Sequence, residues 1–304
     1  MGAYRSQSVV CACLLLGLFC GASVSPSAEA LPIFSGPTTV SGRLVAGYLL
    51  VVPMAINGRG TWDFVVDTGT NQTVIDPELG EELHLAKTGR VTLNTLAGAQ
   101  KVWLATADSI AAGAASVAKL EILVGRIDAV RKLDGRVHGV LGLDFLYHFA
   151  FSLDYEGARL RLFPPNVPAD PEDSGLASVS VAVQLVDGRV LVPCGWGDAR
   201  IRLLALDSGI AEVLLFAERG VNAAAAKSGA ARQMLVSNAA AAEAVRIPLG
   251  DFFVGEQLVH GVSGLLLART VDMTMLPEDG LLPASLFRSV FVNPHARIAV
   301  FKEK

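Results

Sequence analysis

Cysteine is nearly missing from the body of this chain. Of its four cysteines, Cys11, Cys13 and Cys20 fall in the first thirty residues, and only Cys194 lies beyond them. Once that leader is removed, no disulfide can form within the chain, so the fold must rest on its core. Charge is scarce as well. Charged residues make up 18% of the chain, the formal net charge is −4, and no basic block occurs; neither nucleic acid nor an anionic membrane surface is an implied partner. The five histidines, His84, His138, His148, His260 and His295, are scattered with no HExxH spacing, which argues against a metal site. A GxSxG elbow and a phosphate-cradling glycine loop are both absent.

What is present is apolar and rich in turns. Hydrophobic residues account for 52%, with 30 Gly and 14 Pro spread throughout, a composition that favours many short strands. Residues 1–30 read as an export signal: Arg5 opens it, residues 9–20 form an apolar run, and Ala28-Glu29-Ala30 is a small-x-small cleavage signal. The run is short for a membrane span. A cleaved leader and a periplasmic or secreted protein are therefore expected, with an uncleaved membrane anchor as the alternative.

The body is written twice. Residues 51–69 (VVPMAINGRGTWDFVVDTG) register without a gap over residues 191–209 (LVPCGWGDARIRLLALDSG), 140 positions on. Pro53 falls on Pro193, and Asp67-Thr68-Gly69 falls on Asp207-Ser208-Gly209. Turn-rich strand pairs follow at 93–104 and 234–248, then the apolar glycine-bearing runs 138–142 and 279–283, then closing strands at 158–163 and 296–301. The same order of features in both halves indicates a duplication. It divides the chain into a leader (1–30), a first lobe (31–165), a Pro- and acid-rich linker (166–176) and a second lobe (177–304). Helical pieces are expected at 76–85, at 217–227 and after Gly142 and Pro283.

Each apolar strand delivers an Asp, a hydroxyl and a glycine at its end. If the two lobes face each other, Asp67 and Asp207 share one site, where like charges cannot both ionise comfortably. Such a pair can hold and activate a water for attack on an amide carbonyl. Gly69 and Gly209 permit close backbone approach, and Thr68 and Ser208 can hydrogen-bond across to the opposite loop.

At these residues the chain resembles the aspartic proteases, most nearly the retropepsin-like branch, with INGRGTWDFVVDTGTNQTVID followed by HGVLGLDFL carrying the likeness. The resemblance implies an all-β bilobal fold of two similar β-barrel lobes related by a pseudo-twofold axis, a peptide or protein substrate in the cleft, and no cofactor. It implies Asp67 and Asp207 as the catalytic acids, supported by Thr68, Gly69, Thr70, Ser208 and Gly209. A flap would carry Leu96, Ala97 and Gly98, aided by Asn238. A monomer with both lobes in one chain is expected. Two further readings stay open: a bilobal peptide-binding protein without turnover, and a protease active only when first lobes pair in a homodimer.

Two departures from the family pattern carry expectations. Thr70 follows the first glycine, where the family usually has Ser, Thr or Ala, but the bulkier Ile210, without a hydroxyl, follows the second. A hydrogen bond from Thr70 to Asp67 would make Asp67 the ionised partner and Asp207 the protonated one. Pro283 replaces the glycine found at Gly142 and lacks a backbone donor, so the second lobe's central crossing is expected to differ. Asn71-Gln72-Thr73 forms a glycosylation sequon beside the proposed dyad, where a glycan would crowd substrate, and is read as coincidence. Trp62 and Trp196 occupy adjacent rather than equivalent repeat positions and are expected to pack.

Overall fold

The computed structural model describes residues 32–34, 36–95, 98–167, 178–198, 200–216, 232–236, 241–267 and 276–304. The leader, most of the linker and the helix expected at 217–227 lie outside them. Among the described residues the chain is nearly all β, arranged in three sheets. No helix there is long and apolar enough to cross a membrane.

The first sheet takes its strands from the first half. Its central run is Ala115–Val124, Val74–Ile75, Val137–Leu141, Arg59–Val66, Leu49–Ile56 and Gly98–Ala112. A further ladder joins Gly98–Ala112 back to Ala115–Val124, closing these six strands into a barrel and leaving no open edge among them. Leu50, Val52, Phe64 and Val66 point into this core and are fully buried. The second half forms a ten-stranded sheet whose run Ser263–Leu267, Val213–Phe216, Gly280–Pro283, Ile201–Asp207 and Arg189–Trp196 repeats the central order, but it stays open among the described residues.

The third sheet joins the halves. From one edge to the other it runs Ser178–Ala182, Ile298–Lys302, Ser289–Asn293, Ala150–Asp154, Arg159–Phe163 and Thr38–Ser41. Three strands come from each half, and they meet at the antiparallel register Phe151↔Val292, Ser152↔Phe291, Leu153↔Val290. Main-chain bonds at this junction fix how one half sits on the other.

In each half a short glycine-bearing strand crosses the middle parallel to the strand that ends in Asp. Val137–Leu141 lies along Arg59–Val66 and Gly280–Pro283 along Ile201–Asp207. A Cβ at Gly139 would stand 2.2 Å from the Phe64 ring, and one at Gly280 would stand 2.2 Å from the Leu214 carbonyl oxygen. Both crossings therefore depend on close approach, which only glycine permits. The second crossing is built like the first, contrary to expectation, and the reason lies in its partner. The Gly142 N–H donates to Thr73 Oγ1 at 3.1 Å. In the second half Pro283 has no N–H, and Val213 stands where the acceptor hydroxyl would be, so donor and acceptor are lost together. Removing both leaves nothing unsatisfied and is close to neutral.

The expected helices at Pro77–Glu82 and Leu143–Leu146 form, and a single 3-10 turn, Ala284–Leu286, follows Pro283. Asp76 caps the first of these by accepting from the Glu78 N–H at 2.9 Å, with Pro77 opening the helix. A helix at Asp128–Leu133 was not expected, because its six residues are too few to show a period.

Candidate active site

Asp67 follows the last residue of Arg59–Val66, and Asp207 is the last residue of Ile201–Asp207. Both residues are 1% exposed, and each carboxyl lies against the opposite loop: a Cβ on Gly69 would stand 2.4 Å from Asp207 Cγ, and one on Gly209 would stand 2.9 Å from Asp67 Cγ. The backbone N–H groups two residues on hold one oxygen of each: Gly69 N donates to Asp67 Oδ1 at 2.8 Å and Gly209 N to Asp207 Oδ1 at 2.7 Å. The two loops thus present their acids in the same way.

Thr68 and Ser208 lock the loops together through four buried hydrogen bonds. Thr68 N donates to Ser208 Oγ at 2.9 Å and Ser208 N to Thr68 Oγ1 at 3.0 Å. Each hydroxyl then donates onward past its partner loop, Thr68 Oγ1 to the Leu206 carbonyl at 2.9 Å and Ser208 Oγ to the Val66 carbonyl at 2.8 Å. Every donor in this set has its acceptor. Thr68→Val should therefore leave Ser208 N and the Leu206 carbonyl buried without partners, costing about 2–4 kcal/mol, whereas Thr68→Ser should cost much less. Urea denaturation of the two variants checks this, and equal midpoints would remove the lock from the account.

The first loop has a second clasp that sequence reasoning missed. Asp144 accepts from Thr73 N at 2.8 Å, from Thr73 Oγ1 at 2.7 Å and from its neighbour Phe145 N at 2.9 Å. Leu143 N and Asp144 N in turn donate to the carbonyls of Thr70 and Asn71. The only signal was an acid directly after Gly142-Leu143. Thr73 of the sequon is fully buried, and Asn71 Nδ2 donates to the Asp187 carbonyl at 2.7 Å.

The expected role of Thr70 is not what the structure shows. Its hydroxyl donates to the Gln72 carbonyl at 3.2 Å rather than to Asp67. Asp67 Oδ2 is buried with no hydrogen-bond partner among the described residues. Burial and the Asp207 charge push the Asp67 carboxyl well above the usual carboxylate range. Burial raises Asp207 to about 6, held back by the Gly209 N–H, the neighbouring Asp67 carboxyl and the Arg189 charge. These directions favour the proton on Asp67, the reverse of the expected assignment.

Of the flap residues, Leu96, Ala97 and Asn238 lie outside the described residues. Gly98 opens the long strand of the first hairpin, paired with Thr95. Ile210 is buried in an apolar cluster with Leu214 and Leu281. Trp62 packs against the main core, and Trp196 stacks on Phe252. Among the described residues no group of three or more His, Cys, Asp or Glu side chains could hold a metal ion.

Residues 52–145 match the family described as Aspartyl protease. No curated protein matches the chain. The solved structure of a retropepsin-like aspartic protease from Rickettsia conorii is 18% identical, matching 45% of this chain and 95% of its own at a TM-score of 0.30.

Proposed function

We propose, from the match of residues 52–145 to the aspartyl protease family, that this chain is an endopeptidase working through the Asp67/Asp207 pair. One observation carries the reading: two buried carboxyls from separate loops each lie against the other's loop, each gripped by its own glycine N–H. Such a pair holds one proton between two acids, which is what water-mediated amide hydrolysis requires.

In this mechanism a water sits between the acids. The Asp207 carboxylate takes one of its protons as the water oxygen attacks the peptide carbonyl carbon. Asp67 gives its proton to the carbonyl oxygen, forming a neutral gem-diol. Asp207, now protonated, donates to the amide nitrogen, and Asp67 takes back a proton from one hydroxyl. The C–N bond breaks, releasing a carboxylic acid and an amine. Both acids belong to one chain and are fixed by the Thr68–Ser208 lock, which favours a monomer as the active unit. Export to the periplasm or beyond is part of the same proposal and rests on the leader.

The test is digestion of a denatured protein mixture across pH, with and without a statine-type transition-state mimic. Inhibitable cutting is expected, with a bell-shaped profile whose acidic limb lies near 6, where Asp207 gains a proton. No cutting at any pH would favour the reading as a binding protein. Cutting that resists the mimic would reject the dyad.

A further inference from the structure

The two loops are alike, yet their acids are not equivalent, and the difference lies one strand away. In the first half the register Val51↔Val65, continued by two residues, sets Leu49 opposite Asp67. In the second half Leu191↔Ala205 and Val192↔Leu204, continued in the same way, set Arg189 opposite Asp207. Residues directly opposite in an antiparallel pair share one face and are neighbours. Leu49 is fully buried, and Arg189 is 4% exposed. An apolar side chain flanks one acid and a buried guanidinium flanks the other.

The guanidinium has its own counter-ion. Arg189 Nη1 is ion-paired with Glu278 Oε1, and Glu278 is wholly buried. Two residues before the crossing glycine in each half stand Glu278, ahead of Gly280, and Val137, ahead of Gly139. Val137 and Leu49 share one apolar cluster, so the second half carries an ion pair where the first half carries two apolar side chains. Such a pair is a poor stabiliser, because two apolar residues of similar volume do as well or better. Its presence beside the dyad calls for another reason.

We propose that Arg189 is the positioning residue that makes the two acids unequal, its buried charge holding Asp207 as the carboxylate and leaving the shared proton on Asp67, with Glu278 limiting how much of that charge Asp207 feels. This inference rests on the protease reading for its consequence, though the charge effect itself does not need turnover. Among the described residues, the charged and titratable groups around Arg189 and the dyad include Asp67, Asp207, Glu278, Asp187, Tyr147 and Tyr155. Asp187 is exposed on the turn before Arg189, and both tyrosines are held neutral by burial. None of these six is a cation.

The experiment follows the carboxyl carbons of Asp67 and Asp207 by NMR across pH in the full chain, beside the pH profile of cleavage. Arg189→Leu with Glu278→Val copies the first half's own residues, so that no buried charge is left alone. In this double variant the lower carboxyl transition should move up by about one pH unit, roughly tenfold in the proton equilibrium, and the acidic limb should move with it. Arg189→Lys keeps the charge and should hold the transition near its original value. Glu278→Gln keeps the shape and should move it down, which tests the idea even if the double variant does not fold. Unmoved transitions in the folded variants would overturn the inference, as would an upward shift in Glu278→Gln. Shifted transitions in a protein that cuts nothing would uphold the charge effect and reject the protease reading instead.

Discussion

Asp67→Asn and Asp207→Asn should each lower peptide cleavage by about ten-thousand-fold while making the protein more stable at neutral pH. The first effect follows from the mechanism, since either change removes one of the two groups that move protons. The second follows from the sign of the pKa shifts. Burial raises both carboxyls above their unfolded value of 3.8, Asp207 to about 6 and Asp67 well above 3.8. A raised carboxyl favours the folded state fully only below the unfolded value, and that contribution is lost as pH rises through the folded one. At pH 7 folding therefore requires Asp67 to take up a proton and Asp207 to be held charged without water. An Asn requires neither, and the gain should be on the order of 2–4 kcal/mol at pH 7, falling towards zero by about pH 4. Thermal unfolding of both variants at the two pH values, beside a cleavage assay, checks the pair of effects. Variants less stable than the parent at pH 7 would show that the acids are held for structural reasons.

The two acids and their companions could be read from the chain because each sits at the end of an apolar run, at 64–66 and 204–206, and because the runs recur 140 residues apart. A strand that alternates or is fully buried leaves a mark in one stretch of sequence, and so does the Asp-Thr/Ser-Gly turn that follows it. Arg189 and Glu278 left no such mark. They are 89 positions apart, and a lone Arg at a strand start is ordinarily a surface residue; only the sheet register brings it against Asp207. Asp144 was hidden for the same reason, since its partner Thr73 belongs to another loop. Thr70 misled because a hydroxyl next to the loop glycine has several acceptors within reach, and the local turn to Gln72 won. Pro283 misled because its effect was judged without Val213, which had removed the acceptor that a glycine N–H there would have needed.

Gly69→Ala should cost far more activity than Gly209→Ala, although the two glycines hold the same place in their loops. Neither glycine has the positive φ that side chains avoid, so alanine suits both backbones and both variants should fold. What differs is the space. A Cβ on residue 69 would stand 2.4 Å from Asp207 Cγ and 2.5 and 2.6 Å from its oxygens, whereas a Cβ on residue 209 would meet the Asp67 carboxyl at 2.9 Å. Ordinary carbon contacts lie at about 3.5–4.0 Å, so the first methyl must displace the Asp207 carboxylate by about an ångström and the second must move Asp67 by less. A displacement of about that size in reacting groups lowers rates by roughly a hundredfold or more. Cleavage should fall by about a thousandfold in Gly69→Ala and by tenfold to a hundredfold in Gly209→Ala, with urea midpoints close to the parent's. Carboxyl titration should show the acids of Gly69→Ala ionising nearly independently, because the shared proton depends on their closeness. An active Gly69→Ala would mean that the carboxyl of Asp207 is free to move without loss, and the base would have to be sought elsewhere.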